Sequence, residues 1–108
     1  MLRRKTGQKS TTLRVSDLEL DQLKHHVKRG EKEITLTGKE YGLLEYLMLN
    51  AGQVVTRTMI SEHVWNEDFD SFTNVVDVYI SRLRNKIDKD AKKPLIHSIR
   101  GAGYTLKE

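Results

Sequence analysis

An α+β fold is predicted for this chain, and three observations in its 108 residues predict it. Short apolar runs broken by turn residues occupy the N-terminal part. Stretches of helical periodicity follow, and the last of them, NVVDVYISRLRNKI at residues 74–87, has two usable faces. Two extended runs joined through a pair of glycines close the chain.

Each element has a local reason. Residues 1–12, MLRRKTGQKSTT, are nearly free of apolar groups and read as a flexible tail or interdomain linker, leaving 13–108 as one domain. Runs at 13–15, 18–20, 23–27 and 33–36 are separated by Ser16-Asp17 and Arg29-Gly30, which predicts an N-terminal four-stranded antiparallel sheet. In LTGKEY, residues 36–41, Thr37 can cap the free amides while Glu40 reaches back, and Leu36 and Tyr41 stand where a hydrophobic staple would close the entry. That helix runs to about Asn50, burying Leu44, Leu47 and Met48, with Gly52 just past its end. A second helix starts after Thr56, ends near Trp65 and buries Ile60 and Val64. The polar, acidic segment 66–73 is too long for a tight turn.

The third helix spans about 73–87. At 100° per residue, Val76, Ile80, Leu83 and Ile87 fall within about 60° of one another, an apolar stripe that can anchor the helix to a core. The opposite side centres on Asn74, Val78, Ser81 and Asn85. Val75 and Arg82 flank it on one edge, Asp77 and Arg84 on the other. Two small valines outside the core stripe suit a helix lying in a major groove, where an apolar side chain meets a thymine methyl. After a lysine-rich loop, residues 95–106 form a terminal hairpin whose Gly101 and Gly103 permit positive φ at the tip. Three helices followed by a hairpin are the layout of a winged helix-turn-helix, with the third helix in the major groove and the wing at the minor groove.

Composition removes several classes of function. There is no cysteine, so no disulfide, thiolate zinc site or cysteine nucleophile exists. No run approaches the roughly 18 apolar residues of a membrane span, which makes a soluble cytoplasmic protein the expectation. The net charge of +4 is unevenly spread. Residues 13–78 carry 7 basic against 12 acidic side chains, whereas 79–107 carry 8 basic against Asp88 and Asp90 alone. Such polarity provides a surface that can meet a polyanion. His25, His26, His63 and His97 offer no i, i+4 pair on one helix, so no metal site is expected. No nucleophile with base and orienting acid appears, nor any phosphate-cradling loop, so neither an enzyme nor a cofactor is expected.

The blocks LTGKEYGLLEYLMLNAGQVVTRTMI, HVW, TNVVDVYISRLRNKID and PLIHSIRGAGYTL stand in order at consistent separations. On them, residues 13–107 resemble the C-terminal effector domain of OmpR/PhoB-type response regulators, and FDSFTNVVDV looks closest to the heavy-metal, copper-type members. The resemblance implies a transcription factor whose missing N-terminal receiver domain is switched by a membrane sensor kinase. It also implies two effector domains head-to-tail on a direct-repeat operator in double-stranded DNA, and a loop before the recognition helix that touches RNA polymerase.

Residue by residue, Arg82 and Arg84 match family positions that approach DNA. Arg82 leans towards the Val78 face and suits bidentate contact with guanine, whereas Arg84 suits phosphate. Val75 and Val78 match positions that lie against bases. Asn74 and Ser81 face the groove as candidate DNA contacts, although they stand where relatives often carry arginine. Asp77 either accepts from a cytosine amine or steers the two arginines. Tyr79 and Lys86 are candidate phosphate contacts at the flank. Arg100 matches the wing arginine that enters the minor groove, and Thr56 and Arg57 support backbone contact at the second helix, although capping alone explains Thr56. Glu67, Asp68 and Asp70 are either a polymerase-facing surface or ordinary loop acidity. The rival reading from another class is a protein-interaction module that docks on RNA polymerase or a receiver through the acidic half.

Overall fold

A computed structural model of the chain describes residues 12–65, 73–89 and 93–108. The expected tail, apart from Thr12, and the loop side chains Glu67, Asp68 and Asp70 lie outside the described residues. The strands β1 (Thr12–Val15), β2 (Leu18–Asp21), β3 (His26–Arg29) and β4 (Lys32–Ile34) form an antiparallel sheet in chain order. Leu13 pairs with Leu20, Leu20 with Val27, and Val27 with Ile34, so the period-two alternation collects them on one face. The third strand begins at His26 rather than at residue 23. Asp21 Oδ1 accepts from the amides of Leu23 (3.0 Å) and Lys24 (3.1 Å), which closes a turn that leaves Leu23 77% exposed. A side-chain acceptor close by in the chain overrides the apolar pattern here.

Helix α1 (Gly38–Leu49) opens as the Thr37/Glu40 pair dictates. Glu40 N donates to Thr37 Oγ1 at 3.3 Å, and Thr37 N to Glu40 Oε1 at 2.9 Å. Its buried stripe includes Leu43 and Glu40 besides Leu44, Leu47 and Met48. Helix α2 (Arg57–Ile60) is a single α turn capped by Thr56, and the chain then widens into a π-type turn, Ser61–Trp65. The expected second helix is thus present in extent but changes pitch. The widened turn carries the His63 ring onto Tyr46 at a 4.3 Å centroid distance, and the Val64 carbonyl accepts from Lys39 Nζ at 3.1 Å.

Helix α3 (Thr73–Ile87) buries Val76, Ile80, Leu83 and Ile87, none more than 3% exposed, and packs on α1 and α2. The wing consists of β5 (Ile96–Ile99) and β6 (Gly103–Leu106), joined by a turn in which Ala102 N donates to Ile99 O at 2.9 Å. β6 also pairs with the segment before α2. Val55 N donates to Tyr104 O at 2.8 Å, and Tyr104 N to Val55 O at 2.9 Å. A Cβ on Gly103, whose φ is +145°, would lie 2.1 Å from the Val55 carbonyl oxygen, so only glycine permits this approach.

Strand alternation turns Arg29 inward beside Val27, and it is 8% exposed. Its guanidinium donates to Asp17 Oδ1 (2.8 Å), to the Ile87 carbonyl at the end of α3 (2.8 Å), to Asp88 Oδ1 (2.6 Å) and to the Lys93 carbonyl. Asp88 in turn accepts from the amides of Leu95 (3.1 Å) and Ile96 (3.2 Å). One buried ion pair therefore joins the sheet, the C-terminus of α3 and the root of the wing.

Two predictions follow from this packing. Gly103→Ala should destabilise the fold by at least about 2 kcal/mol in urea unfolding, whereas Gly38→Ala, in open space at the start of α1, should be neutral or stabilising by up to about 1 kcal/mol. Arg29→Ala, which strands the buried Asp88 carboxylate, should cost about 3–5 kcal/mol, while Asp17→Asn at the half-exposed arm should cost under about 1 kcal/mol.

Candidate nucleic-acid interface

The core stripe of α3 fixes where every other side chain of that helix points. One edge faces the wing. Asp77 and Arg84 are seven residues apart, only about 20° apart around the helix, and both meet the hairpin. Arg84 Nη2 donates to Ser98 Oγ at 2.6 Å, and its guanidinium carbon lies 6.0 Å from the centre of the Tyr104 ring. Asp77 Oδ1 accepts from the Tyr104 hydroxyl and from Arg57 Nε at 2.9 Å. Of the two roles open to Asp77, the structure places its carboxylate between the wing and α2.

The other edge faces α1. Lys86 Nζ donates to Glu40 Oε1 at 2.6 Å, and the Glu40 side chain is 3% exposed. Lys86, expected at a phosphate, is held by the carboxylate that also closes the α1 capping box. Tyr79 is half-buried against the core, and the Arg82 guanidinium lies 5.1 Å over its ring. That stacking restrains an exposed cation before any ligand arrives.

What remains to solvent is the narrow face opposite the core. Val78 is 45% exposed, Ser81, Arg82 and Asn85 are exposed, Val75 is half-buried, and Asn74 lies in the first turn. Beside this face the wing turn exposes Arg100, Gly101 and Ala102. Between that turn and the start of α2 lies a recess of about 540 Å³ lined by Thr56, Arg57 and the chain from Ser98 to Tyr104. Thr56 Oγ1 is engaged as a cap, accepting from Met59 N at 3.0 Å. The arrangement offers a small reading face, a guanidinium on each side of it and a cationic recess, which suits a groove with its phosphates.

Each histidine has its own partner: His25 stacks on Tyr41 and His63 on Tyr46, His26 contacts Glu33 at 2.8 Å, and His97 contacts the Lys107 carbonyl. Sequence reasoning missed Arg29, Asp88, Ser98 and Tyr104, and for Glu40 it gave the capping role but not the pairing with Lys86. Two of these carried a signal, since Arg29 occupies an inward strand position and Glu40 shares the α1 stripe with Leu43, Leu44 and Leu47.

Burial alone would raise the Asp77 pKa, but hydrogen bonds from Tyr104 and Arg57 and the Arg57 charge outweigh it and hold the carboxylate below its ordinary value. Burial, then the bond to Asp77, pushes the Tyr104 hydroxyl up. Glu40 behaves like Asp77. Burial opposes ionisation, yet the Lys86 hydrogen bond and the Thr37 amide lower its pKa beneath the ordinary 4.5. Because the folded value is the lower one, this stability is complete above pH 4.5 and is lost as pH falls through the folded value. Glu40→Gln should therefore flatten the acid limb of a stability-against-pH curve measured by urea unfolding; a limb unchanged in slope would contradict the assignment.

The chain matches the family model described as "Transcriptional regulatory protein, C terminal" over residues 31–106. It is 50% identical over 107 residues to the transcriptional regulatory protein PcoR of Escherichia coli, covering 99% of this chain and 47% of that protein. Among solved structures, the DNA-binding domain of CpxR from E. coli superposes with a TM-score of 0.80 at 33% identity, over 92% of this chain and 98% of that one. The RstA DNA-binding domain of Klebsiella pneumoniae, solved in complex with the RstA box, gives a TM-score of 0.80 at 29% identity, over 89% of this chain and 96% of that one. The chain spans about half the length of the curated relatives it matches.

Proposed function

Because this chain belongs to the family of C-terminal domains of transcriptional regulatory proteins, the OmpR/PhoB type of response regulator, we propose that it reads double-stranded DNA with α3 in the major groove and the wing at the minor groove. The family is one of DNA-binding transcription regulators, not an enzyme class. One observation carries the finer reading: the α3 face opposite the core is exposed beside a wing turn that presents Arg100. Val75, Val78 and Arg82 meet base edges, with Asn74 and Ser81 between them. Arg84, Arg57 and Thr56 border phosphates, with Tyr79 and Lys86 at the far flank, and Arg100 enters a narrow A·T-rich minor groove.

Two copies bind head-to-tail on a direct repeat, as the family resemblance implies. In the longer protein, a receiver domain switched by a membrane sensor kinase controls that pairing, and the segment holding Glu67, Asp68 and Asp70 faces RNA polymerase. The cytoplasm is the compartment this role requires. Among the described residues no helix is long and apolar enough to cross a membrane.

The test is selection from random duplex DNA followed by salt titration on the selected repeat and a scrambled control. Binding should weaken linearly in log salt and prefer the repeat. Binding without salt dependence or preference would overturn the reading in favour of a protein-docking module. Arg82→Ala should cost roughly 1–3 kcal/mol on the selected site and much less on scrambled DNA; equal losses on both would reassign Arg82 to phosphate.

A further inference from the structure

We infer that Tyr104 is a positioning residue for DNA specificity: through its hydrogen bond to Asp77 it sets the angle of the wing against α3, so that minor-groove and major-groove reading act as one unit. The inference rests on the DNA-binding reading above and concerns residues which themselves read no base. Three observations carry it.

The first is the economy of the junction. Tyr104 and Ser98 are directly paired across the hairpin, and Asp77 and Arg84 share one edge of α3, so both polar contacts join one rung of the wing to one stripe of the helix. Beyond that rung, Arg100, Gly101 and Ala102 are exposed, and the recess separates their turn from the start of α2. The direction of Arg100 relative to α3 is therefore decided at the rung. The second is convergence. Asp77 Oδ1 accepts from Tyr104 on the wing and from Arg57 on α2, so a single oxygen references both neighbours to α3.

The third is persistence. Arg57 and Arg84 are cations that DNA phosphates compete for, whereas the Tyr104 hydroxyl is neutral, its residue is only 7% exposed and it already has a carboxylate acceptor, so phosphates compete for it far less. The backbone bridge to Val55 and the close approach of Gly103 anchor the base of β6, so removing the hydroxyl should leave the strand paired while freeing the tilt of the hairpin against α3. Asp77 on this account is no reader of cytosine. It acts through Tyr104.

The experiment uses duplexes carrying the selected site, with the A·T pairs under the wing replaced by I·C or by G·C. I·C leaves the minor groove as A·T presents it, while G·C adds the guanine amino group. The chain with its native residues should tolerate I·C and lose about tenfold on G·C. In Tyr104→Phe and Asp77→Ala that G·C penalty should fall below about twofold, while discrimination at base pairs under α3 is kept. Asp77→Asn, which retains an acceptor oxygen for the hydroxyl, should restore most of the penalty. Thermal unfolding of each variant is measured alongside. A native-like G·C penalty in Tyr104→Phe would overturn the inference. So would loss of wing and α3 discrimination together in proportion to lost stability, or a specificity change in Asp77→Ala confined to a G·C pair under α3. A native chain that shows no salt-dependent binding would instead sink the DNA-binding reading and this inference with it.

Discussion

Two main-chain hydrogen bonds between Val55 and Tyr104 decide where the candidate interface lies. They make β6 the middle of three extended segments, with β5 on one side and the approach to α2 on the other. The bridge is possible only because residue 103 lacks a Cβ, since any other side chain would collide with the Val55 carbonyl. Neighbouring groups reinforce it: Gly52 N donates to Leu106 O at 2.9 Å, and Thr105 Oγ1 to Gln53 O at 2.8 Å. The start of α2, the wing and the Tyr104 hydroxyl all take their positions from this contact.

Around that fixed strand, α3 is used on every side. Its apolar stripe is buried in the core, one edge meets the buried Glu40 carboxylate through Lys86, and the other meets the wing through Asp77 and Arg84. Its C-terminal carbonyl is taken by Arg29. A helix restrained this way has little freedom to roll, which suits a reading face of few side chains, because a small error in rotation would move all of them off their targets. The polar contacts that impose the restraint are largely satisfied pairs, so they fix orientation at modest net gain in stability.

The division of labour among charged side chains follows from the same geometry. Arg82 is the cation of α3 that stacks on its own helix and stays exposed, whereas Arg84 and Lys86 are tied to neighbouring elements. Arg100 sits at the exposed wing turn. Contacts to phosphates supply affinity and those to base edges supply selectivity, so tied and untied cations have different work.

The helical stripe, the capping box, the glycine at the wing and the four-strand sheet were legible because each depends on residues close in sequence, whose spacing and backbone preferences act before any tertiary contact forms. The blocks that carry the family resemblance are of the same kind. Where a local side chain competed with the pattern, as Asp21 does at the end of β2, the strand boundary moved. The roles of Asp77, Lys86, Arg29 and Tyr104 were decided only by tertiary structure. Their partners lie 12 to 64 residues away along the chain, and no periodicity says which carboxylate a cation will meet. The sequence by itself determined that α3 has a core face and an opposite face. Which of its charged side chains would pair with neighbouring elements depended on where packing set α1 and the wing.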